Sequence, residues 1–597
     1  MDIQQTMDSQ APSSDTSTHS INTWPAILTL ILFFISNLAV IFPLRLPVPQ
    51  VLIKPARHLL TRCRILAPQH SPHAAKPAYL PLNYITVPLV SVLLLLAAGV
   101  FDGGTVRDGV VGTNGVQPLN IMALFISLAY ISISLDATGL FRFLAFWVAR
   151  RGGSSGRRLF AYLYAFFLVC GVVVGNDPVI LSGTAFLAYF TRVAGITPPT
   201  AWIFSQFAAA NMASVVLVSS NPTNLVLSGA FGLPFLTYTA HVALPFLAAA
   251  LAVFPVLALG LFRAPALVPR RIDVGLSEEE VRATLVDKGG AILGSAVLGA
   301  TLAVLVGVST SGGVQVWMVT VPPAVGMLVR DVWYDWSRRR LHAPSSPPSS
   351  PGTREDGPAQ DRASSTYELH DLSSRIRSSP PSSPSPPPTS QPRALLPLLH
   401  TLHTRLTRLL PTVAHVSARL PLALLPFALL MFVLVQGLAA QGWVALFARW
   451  WRAWVRRTGA LGAVGGMGCL ACVLCNFCGT NIGATILLAR VLQLWLSPPS
   501  PTPSPSSTSS YSQVPTARER DGAIYALALG SNFGAFTLTF GASLAGLLWR
   551  QILRQKGIRV RGRQFLLLNL PISGVAMLVG CVVLVGQVYI EHGHDDT

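Results

Sequence analysis

Residues 172–181 read VVVGNDPVIL and set Gly175, Asn176, Asp177 and Pro178 in the middle of an apolar stretch that runs from 159 to 194. About 20 apolar residues carry an α-helix across a bilayer. The stretch is too long for one crossing, and its interior break frees backbone amides and carbonyls that hydrocarbon cannot satisfy. It therefore reads as two half-helices joined at a polar tip, entering and leaving the membrane on one side. The pattern returns in VLCNFCGTNI (473–482), inside a second apolar stretch at 459–494. Two more stretches, 200–230 and 521–549, are overlong and broken centrally by VSSNPTNLVL and LGSNFGAFTL. Four broken segments in corresponding places of two halves point to a transporter core.

The remaining chain agrees with this reading. Of 597 residues, 51% are hydrophobic and 11% charged, the composition of a polytopic membrane protein. Lys and Arg number 43 against 24 Asp and Glu, but they crowd into loops such as ARRGGSSGRR (149–158), WSRRRLH (336–342) and RQILRQKGIRVRGR (550–563). That is a topology signal, and no nucleic-acid partner is expected. The seven cysteines sit mostly in apolar stretches and form no disulfide framework. The first 20 residues lack Lys and Arg, so a retained span, not a cleaved signal peptide, is expected after a disordered tail.

Crossings are expected near 24–42, 80–100, 119–138, 200–230, 237–262, 289–310, 314–330, 418–440, 521–549 and 565–590. The fold class is an all-α polytopic membrane protein, with about ten transmembrane helices plus two re-entrant hairpins in an inverted-topology repeat. A tail at 1–23 precedes a first repeat at 24–263, a basic cytoplasmic linker at 264–288 and a second repeat at 289–591. Disordered Ser/Pro-rich loops at 343–393 and 497–516 interrupt the second repeat, and 592–597 form a C-terminal tail. SLDATGLFRFLAFWVARR (134–151) matches GLAAQGWVALFARWWRAW (437–454) in pattern, with Gly139 opposite Gly442. The Trp and Arg spacing of ARWWRAWVRR (448–457) suits an amphipathic helix at the interface.

A break inside a bilayer persists where protein, water or solute satisfies it. Helix N-termini favour anions, whereas carbonyls and Asn or Ser side chains suit a small cation. The residues expected to converge are Asn176, Asp177, Ser220, Asn221, Thr223 and Asn224 from the first half, and Asn476, Thr480, Asn481, Ser531 and Asn532 from the second. Asp177 is expected to bind or release the coupling ion, because a carboxylate at a membrane-embedded tip is costly unless paired, hydrated or used. Asp136 is expected to cap the interfacial helix, and His241 to be a packing residue.

Cys469, Cys472, Cys475 and Cys478 recur every third position. That spacing drifts by about 60° per step on a helix, so the four cannot ligate one ion without unwinding. No metal centre or cofactor is expected, and close helix packing is the main expectation. Cys475 and Cys478 flank the tip and are candidate thiol ligands for a soft species such as trivalent arsenic or antimony.

ANMASVVLVSSNPTNLVLSGAFG (210–232), VVVGNDPVILSGTAFL (172–187), SLDATGLFRFLAFWVARRG (134–152) and LGSNFGAFTLTFGASLAGLLW (529–549) resemble the arsenite-permease branch of the ion transporter superfamily. That superfamily also holds citrate and dicarboxylate carriers and sodium/proton antiporters. The resemblance covers most of 119–263 and 418–591. It implies no enzyme but secondary active transport of a small anion or metalloid oxyacid, of arsenite or antimonite type, coupled to H+ or Na+ by alternating access. A citrate or dicarboxylate carrier, a Na+/H+ antiporter and a non-transporting sensor stand as alternatives. The lipid bilayer is the expected partner, a homodimer the expected assembly, and the plasma or vacuolar membrane the expected location.

Overall fold

A computed structural model describes residues 21–48, 79–113, 115–272, 278–308, 315–342, 395–497 and 514–593, with a few positions between 51 and 63. The long Ser/Pro-rich loop at 343–393, most of the loop at 497–516 and most of both tails lie outside the described residues.

The first half opens with α1 (Trp24–Ile41) and a two-stranded antiparallel ladder, β1 (Leu44–Pro47) and β2 (Tyr79–Leu82). It continues through α2 (Thr86–Ala97), α3 (Gly103–Val111), α4 (Pro118–Ala137), α5 (Leu140–Arg151), α6 (Gly156–Val174) and α7 (Asn176–Val193). Then follow α8 (Thr200–Ala213), a 3-10 turn at Val218–Ser220, α9 (Pro222–Phe231) and α10 (Phe235–Pro255), which runs on as a π-helical segment to Leu261. A short α11 (Glu278–Ala283) lies in the linker, and α12 (Lys288–Val308), α13 (Val316–His342), α14 (Leu395–Leu409) and α15 (Pro411–Arg419) come next. The second half ends with α16 (Leu424–Ala440), α17 (Trp443–Leu474), α18 (Asn481–Leu496), α19 (Ala517–Phe533), two 3-10 turns, α20 (Leu544–Gln555) and α21 (Gly562–Glu591).

Two compact units result. One comprises 1–47, 78–331 and 412–597 and contains all four breaks; the other comprises 48–77 and 332–411. Within the first unit the element order repeats: α4 to α10 correspond to α16 to α21. Gly139 and Gly442 both precede their helices in the left-handed conformation, at φ 87° and 81°. Packing repeats as well. The first arm α6 lies on α8 as α17 lies on α19, while α7 meets α20 of the other half and α9 meets α18. An aromatic cluster joins the halves, with Phe207 of α8 stacked on Trp549 of α20 at 4.4 Å and Phe540 against Phe565 of α21 at 4.2 Å.

The chain is an integral, multi-pass membrane protein. Eight helices among the described residues are long and apolar enough to cross a bilayer. Leu244, Leu247 and Leu251 of α10 and Leu570, Leu578 and Val582 of α21 are exposed on helices that are otherwise packed together. Lipid is the solvent that suits such a surface.

Several expectations change. The crossing at 80–100 is a 12-residue helix, α2, followed by the separate α3. The crossing at 314–330 extends as α13 to His342 and is not among the eight; its C-terminal half carries Arg330, Asp331 and Asp335. Asp331 is buried and accepts hydrogen bonds from Ser134 Oγ (2.7 Å) and Tyr130 (3.1 Å) of α4. Glu278 of α11 pairs with Arg150 at 3.0 Å. The first arm α6, at 19 residues, is long enough to cross, so its length does not separate a re-entrant arm from a spanning one. Within α17 the interfacial segment and the arm are two helices parted at Gly459, whose φ of 61° and ψ of −156° are not helical.

Asp136 does not cap α5. It is buried and pairs with Arg419 at 2.8 Å, an ion pair from α4 to α15. His241 also has a specific partner, for its Nε2 meets Glu591 at 3.0 Å and its ring stacks on Tyr525 at 4.2 Å.

Candidate functional site

The two tips differ in construction. In the first half a single residue, Gly175, separates α6 from α7, at φ 91°. A Cβ there would lie 2.7 Å from the Ser220 carbonyl, so only glycine lets the tip close on the neighbouring break. Ser220 Oγ donates to the Val172 carbonyl (2.7 Å) and Asn176 Nδ2 to Asn211 Oδ1 (3.4 Å), fastening the tip to α8 and its break. Gly175→Ala is expected to cost about 1–3 kcal/mol through strain and clash. A lower thermal midpoint in detergent would check this, and an unchanged midpoint would show that the tip relaxes freely.

In the second half six residues, 475–480, separate α17 from α18. Asn476 closes this wider tip. Its Oδ1 accepts from the backbone amides of Leu538 (3.3 Å) and Thr539 (3.0 Å), and its Nδ2 donates to Thr537 Oγ1 (2.7 Å). These groups belong to the break after α19, whose backbone has no helical partner of its own. One side chain thus supplies what the broken helix lacks.

Between the tips the other two breaks meet in a knot of amides. Asn532 Oδ1 accepts from Asn221 Nδ2 (2.9 Å) and Ser214 Oγ (3.0 Å), and its Nδ2 donates to Asn224 Oδ1 (2.8 Å) and the Ala528 carbonyl (2.9 Å). Asn224 Nδ2 in turn donates to the carbonyls of Ser214 (2.7 Å) and Leu217 (2.9 Å). Asn221 Oδ1 caps α9 by accepting from the Thr223 amide at 3.3 Å, and Thr223 Oγ1 reaches Asn224 Oδ1 at 3.3 Å. Ser531 Oγ turns back to the Ala528 carbonyl, 3.1 Å away. Asn221 and Asn532 stand 311 residues apart in sequence.

Asp177 lies apart from the knot, in the first turn of α7. Among the described residues it has no ion pair or hydrogen bond. It opens, with Asn176, Ser219, Ser220 and Ser132 of α4, onto a cavity of about 30 Å³ whose apolar wall includes Leu298 and Leu302 of α12. That volume holds a water or a small cation beside an unopposed carboxylate. At the second tip the corresponding position is Phe477, and no acidic side chain replaces Asp177. Thr480 and Asn481 are buried where α18 begins, and Thr480 Oγ1 has no partner among the described residues.

The thiols face other surroundings. Cys475 Sγ points at the carbonyls of Gly530 (3.9 Å) and Ser531 (3.7 Å) on α19. Cys469 and Cys478 line an apolar cleft of about 830 Å³ together with Phe33, Trp451 and Leu488. Among the described residues no three His, Cys, Asp or Glu side chains are grouped to hold a metal ion.

The expected residues therefore fall into a cavity set (Asn176, Asp177, Ser220), a satisfied knot (Asn221, Thr223, Asn224, Asn532, with Ser531 beside it) and the second tip (Asn476, Thr480, Asn481). Sequence reasoning passed over Ser214, Asn211, Ser132 and Asn37. Asn37 and Asn211 carried a signal, as amides inside the largely apolar α1 and α8.

The family model described as a citrate transporter matches residues 76–503. The arsenical pump membrane protein of Escherichia coli strain K12 is 31% identical over 166 residues, covering 28% of this chain and 38% of that protein. The arsenical pump membrane protein of Yersinia enterocolitica is 33% identical over 135 residues, covering 22% and 31%. The matched stretch spans 38% and 31% of these two relatives. Among solved structures, the Alcanivorax borkumensis YdaH transporter aligns over 95% of this chain and 99% of its own at 13% identity and a TM-score of 0.46.

Proposed function

This chain belongs to the citrate transporter family, and we propose that it is a secondary active transporter of a small anion or metalloid oxyacid of arsenite or antimonite type. Coupling is to H+ or Na+, by alternating access, without a cofactor. The observation that carries this reading is Asp177, an unopposed carboxylate at a membrane-embedded helix break, facing a small cavity lined by hydroxyl and amide groups. A carboxylate so placed is expensive unless a cation visits it. The amide knot supports the reading too, because it ties the broken helices of both halves at one place, where transporters with repeated halves bind their solutes.

A citrate or dicarboxylate carrier is the second reading. It is favoured by the orientation of Cys475 toward α19 and of Cys478 toward the apolar cleft, which leaves oxygen and nitrogen groups, not sulfur, at the cavity. The protein would act in the plasma or vacuolar membrane, as a homodimer.

The test is flux into proteoliposomes under imposed pH and Na+ gradients, with arsenite, antimonite, citrate, succinate and Na+ offered separately. Movement of arsenite or antimonite upholds the first reading, and movement of a carboxylate alone the second. Na+ exchange for protons alone would make the protein an antiporter, and no movement of any of them would leave a sensor on a transporter fold. If arsenite moves, joint Cys475→Ser and Cys478→Ser replacement is expected to leave its rate within about twofold, since neither thiol faces the cavity; a loss of about tenfold or more would restore thiol ligation.

A further inference from the structure

At one end of the packing of α10, α19 and α21, ionisable side chains gather that neither the cavity nor the amide knot uses. His241 lies near the start of α10, Tyr525 near the start of α19, and Glu591 ends α21. The His241 ring stacks on Tyr525 at 4.2 Å, and its Nε2 lies 3.0 Å from Glu591 Oε2. Its other ring nitrogen, Nδ1, lies 2.7 Å from the Thr237 carbonyl. Glu591 Oε1 accepts from Gln587 Nε2 at 3.2 Å, and among the described residues no Lys or Arg pairs with this carboxylate. The neighbouring charges have partners of their own. His592 Nε2 and Arg520 both pair with Asp521, at 3.0 Å and 2.7 Å, Arg518 stacks over Tyr589, and Glu519 accepts from the Thr516 amide. Tyr238 is fully buried on α10, and the arm of α17 that packs on α19 begins just after Arg456 and Arg457.

The hydrogen bonds of His241 count protons. A backbone carbonyl only accepts, so Nδ1 donates to Thr237. An ionised carboxylate also only accepts, so the contact between Nε2 and Glu591 is a hydrogen bond in one of two ways: the imidazole carries both protons, or Glu591 carries one. Either way the pair holds one proton more than a neutral imidazole facing an ionised carboxylate. Without that proton two lone pairs face each other with no donor between them. Asp521 differs, because Arg520 supplies it with donors whatever the state of His592. The side chains of His241 and Glu591 are 18% and 35% exposed, which gives water access to the pair. The far end of α10 adjoins the basic linker at 264–288 and the far end of α21 the basic stretch 550–563, so the charge rule puts this end on the non-cytoplasmic side. We propose that His241 and Glu591 form a proton-binding clasp on that face: a proton taken from that side ties α10 to α21 and steadies α19 through Tyr525, and its loss releases them. Since α19 carries Asn532, the clasp links the pH outside to the amide knot. Its contribution to stability is present at acid pH and is lost as the pH rises and the proton leaves.

The test is the thermal midpoint of the full chain in detergent from about pH 5 to about pH 9, which brackets imidazole titration, for wild type, Glu591→Gln, His241→Asn and His592→Asn. Between the acid and alkaline ends wild type is expected to lose about 1–2 °C more than Glu591→Gln, because a glutamine amide donates to the neutral Nε2 and keeps the clasp closed without the proton. His241→Asn should flatten the same part of the profile, and His592→Asn should keep the wild-type slope. A Glu591→Gln protein whose midpoint follows pH as wild type does would overturn the proposal, as would a slope lost in His592→Asn but kept in the other two. Should His241→Asn fail to fold, Glu591→Gln decides, since it keeps the imidazole and the size of its partner. For any solute that moves in the flux assay, raising the pH from about 6 to about 8 on the C-terminal side alone is expected to slow wild type at least about twofold more than Glu591→Gln; equal slowing would overturn the link to the knot. This last arm rests on the transport reading above and the thermal arm does not, so the two fail separately.

Discussion

Asp177→Asn is expected to uncouple transport from its driving ion. The substitution keeps size and hydrogen-bonding capacity but removes the charge and the titratable group, so the variant can neither exchange a proton at this position nor neutralise a bound cation. Because no cationic side chain opposes Asp177 among the described residues, the change strands no buried positive charge, and the fold should survive with a near-normal thermal midpoint. Uptake driven by a pH or Na+ gradient should fall at least about tenfold, while exchange of solute across gradient-free vesicles falls less. The measurement is accumulation against an imposed gradient, with Asp177→Glu as the charge-preserving control. An Asn variant with the wild-type dependence on both ions would move the coupling site elsewhere in the chain.

The second large effect is expected at Asn532. Asn532→Leu removes two acceptor and two donor interactions at once. Asn221, Asn224 and Ser214 keep secondary partners, at Ser214 Oγ, Thr223 Oγ1 and the Asn211 carbonyl respectively, which limits the cost. A destabilisation of about 1–3 kcal/mol is expected. Transport should suffer more than stability, because this side chain fixes the two broken helices to each other across the repeat. Adding Asn221→Leu should cost less than the sum of the single variants, since each already removes the shared bond and the pair leaves fewer polar atoms stranded. Thermal midpoints of the four proteins check this; strict additivity would show that the 2.9 Å contact between Asn221 and Asn532 contributes nothing.

Much of the architecture was legible because it depends on local properties. GND and CNF tips, SSN and GSN breaks and the paired Gly139 and Gly442 announce themselves as polar or glycine residues within apolar runs, and the helices begin and end around them. The short crossing at α2 and the extended α13 were less legible, since hydropathy averaged over a window does not register where a helix caps or continues. Asp136 was misread for a related reason. Its position three residues before Gly139 suits a helix cap, whereas the partner that captured it, Arg419, comes from the other half.

What the sequence by itself determined was the solvent, the breaks and the repetition. A bilayer imposes a threshold on apolar length and forbids unpaired backbone, so these features follow from composition counted along the chain. Tertiary structure alone decided which polar groups meet. On a helix that is apolar all round, no face is marked as inward, and each residue turns the side chain by about 100°. Whether Asn37 meets Gly479, whether Cys478 faces the cleft and whether Asn532 binds Asn221 therefore depend on how neighbouring helices are rotated and packed, which no count along the chain contains.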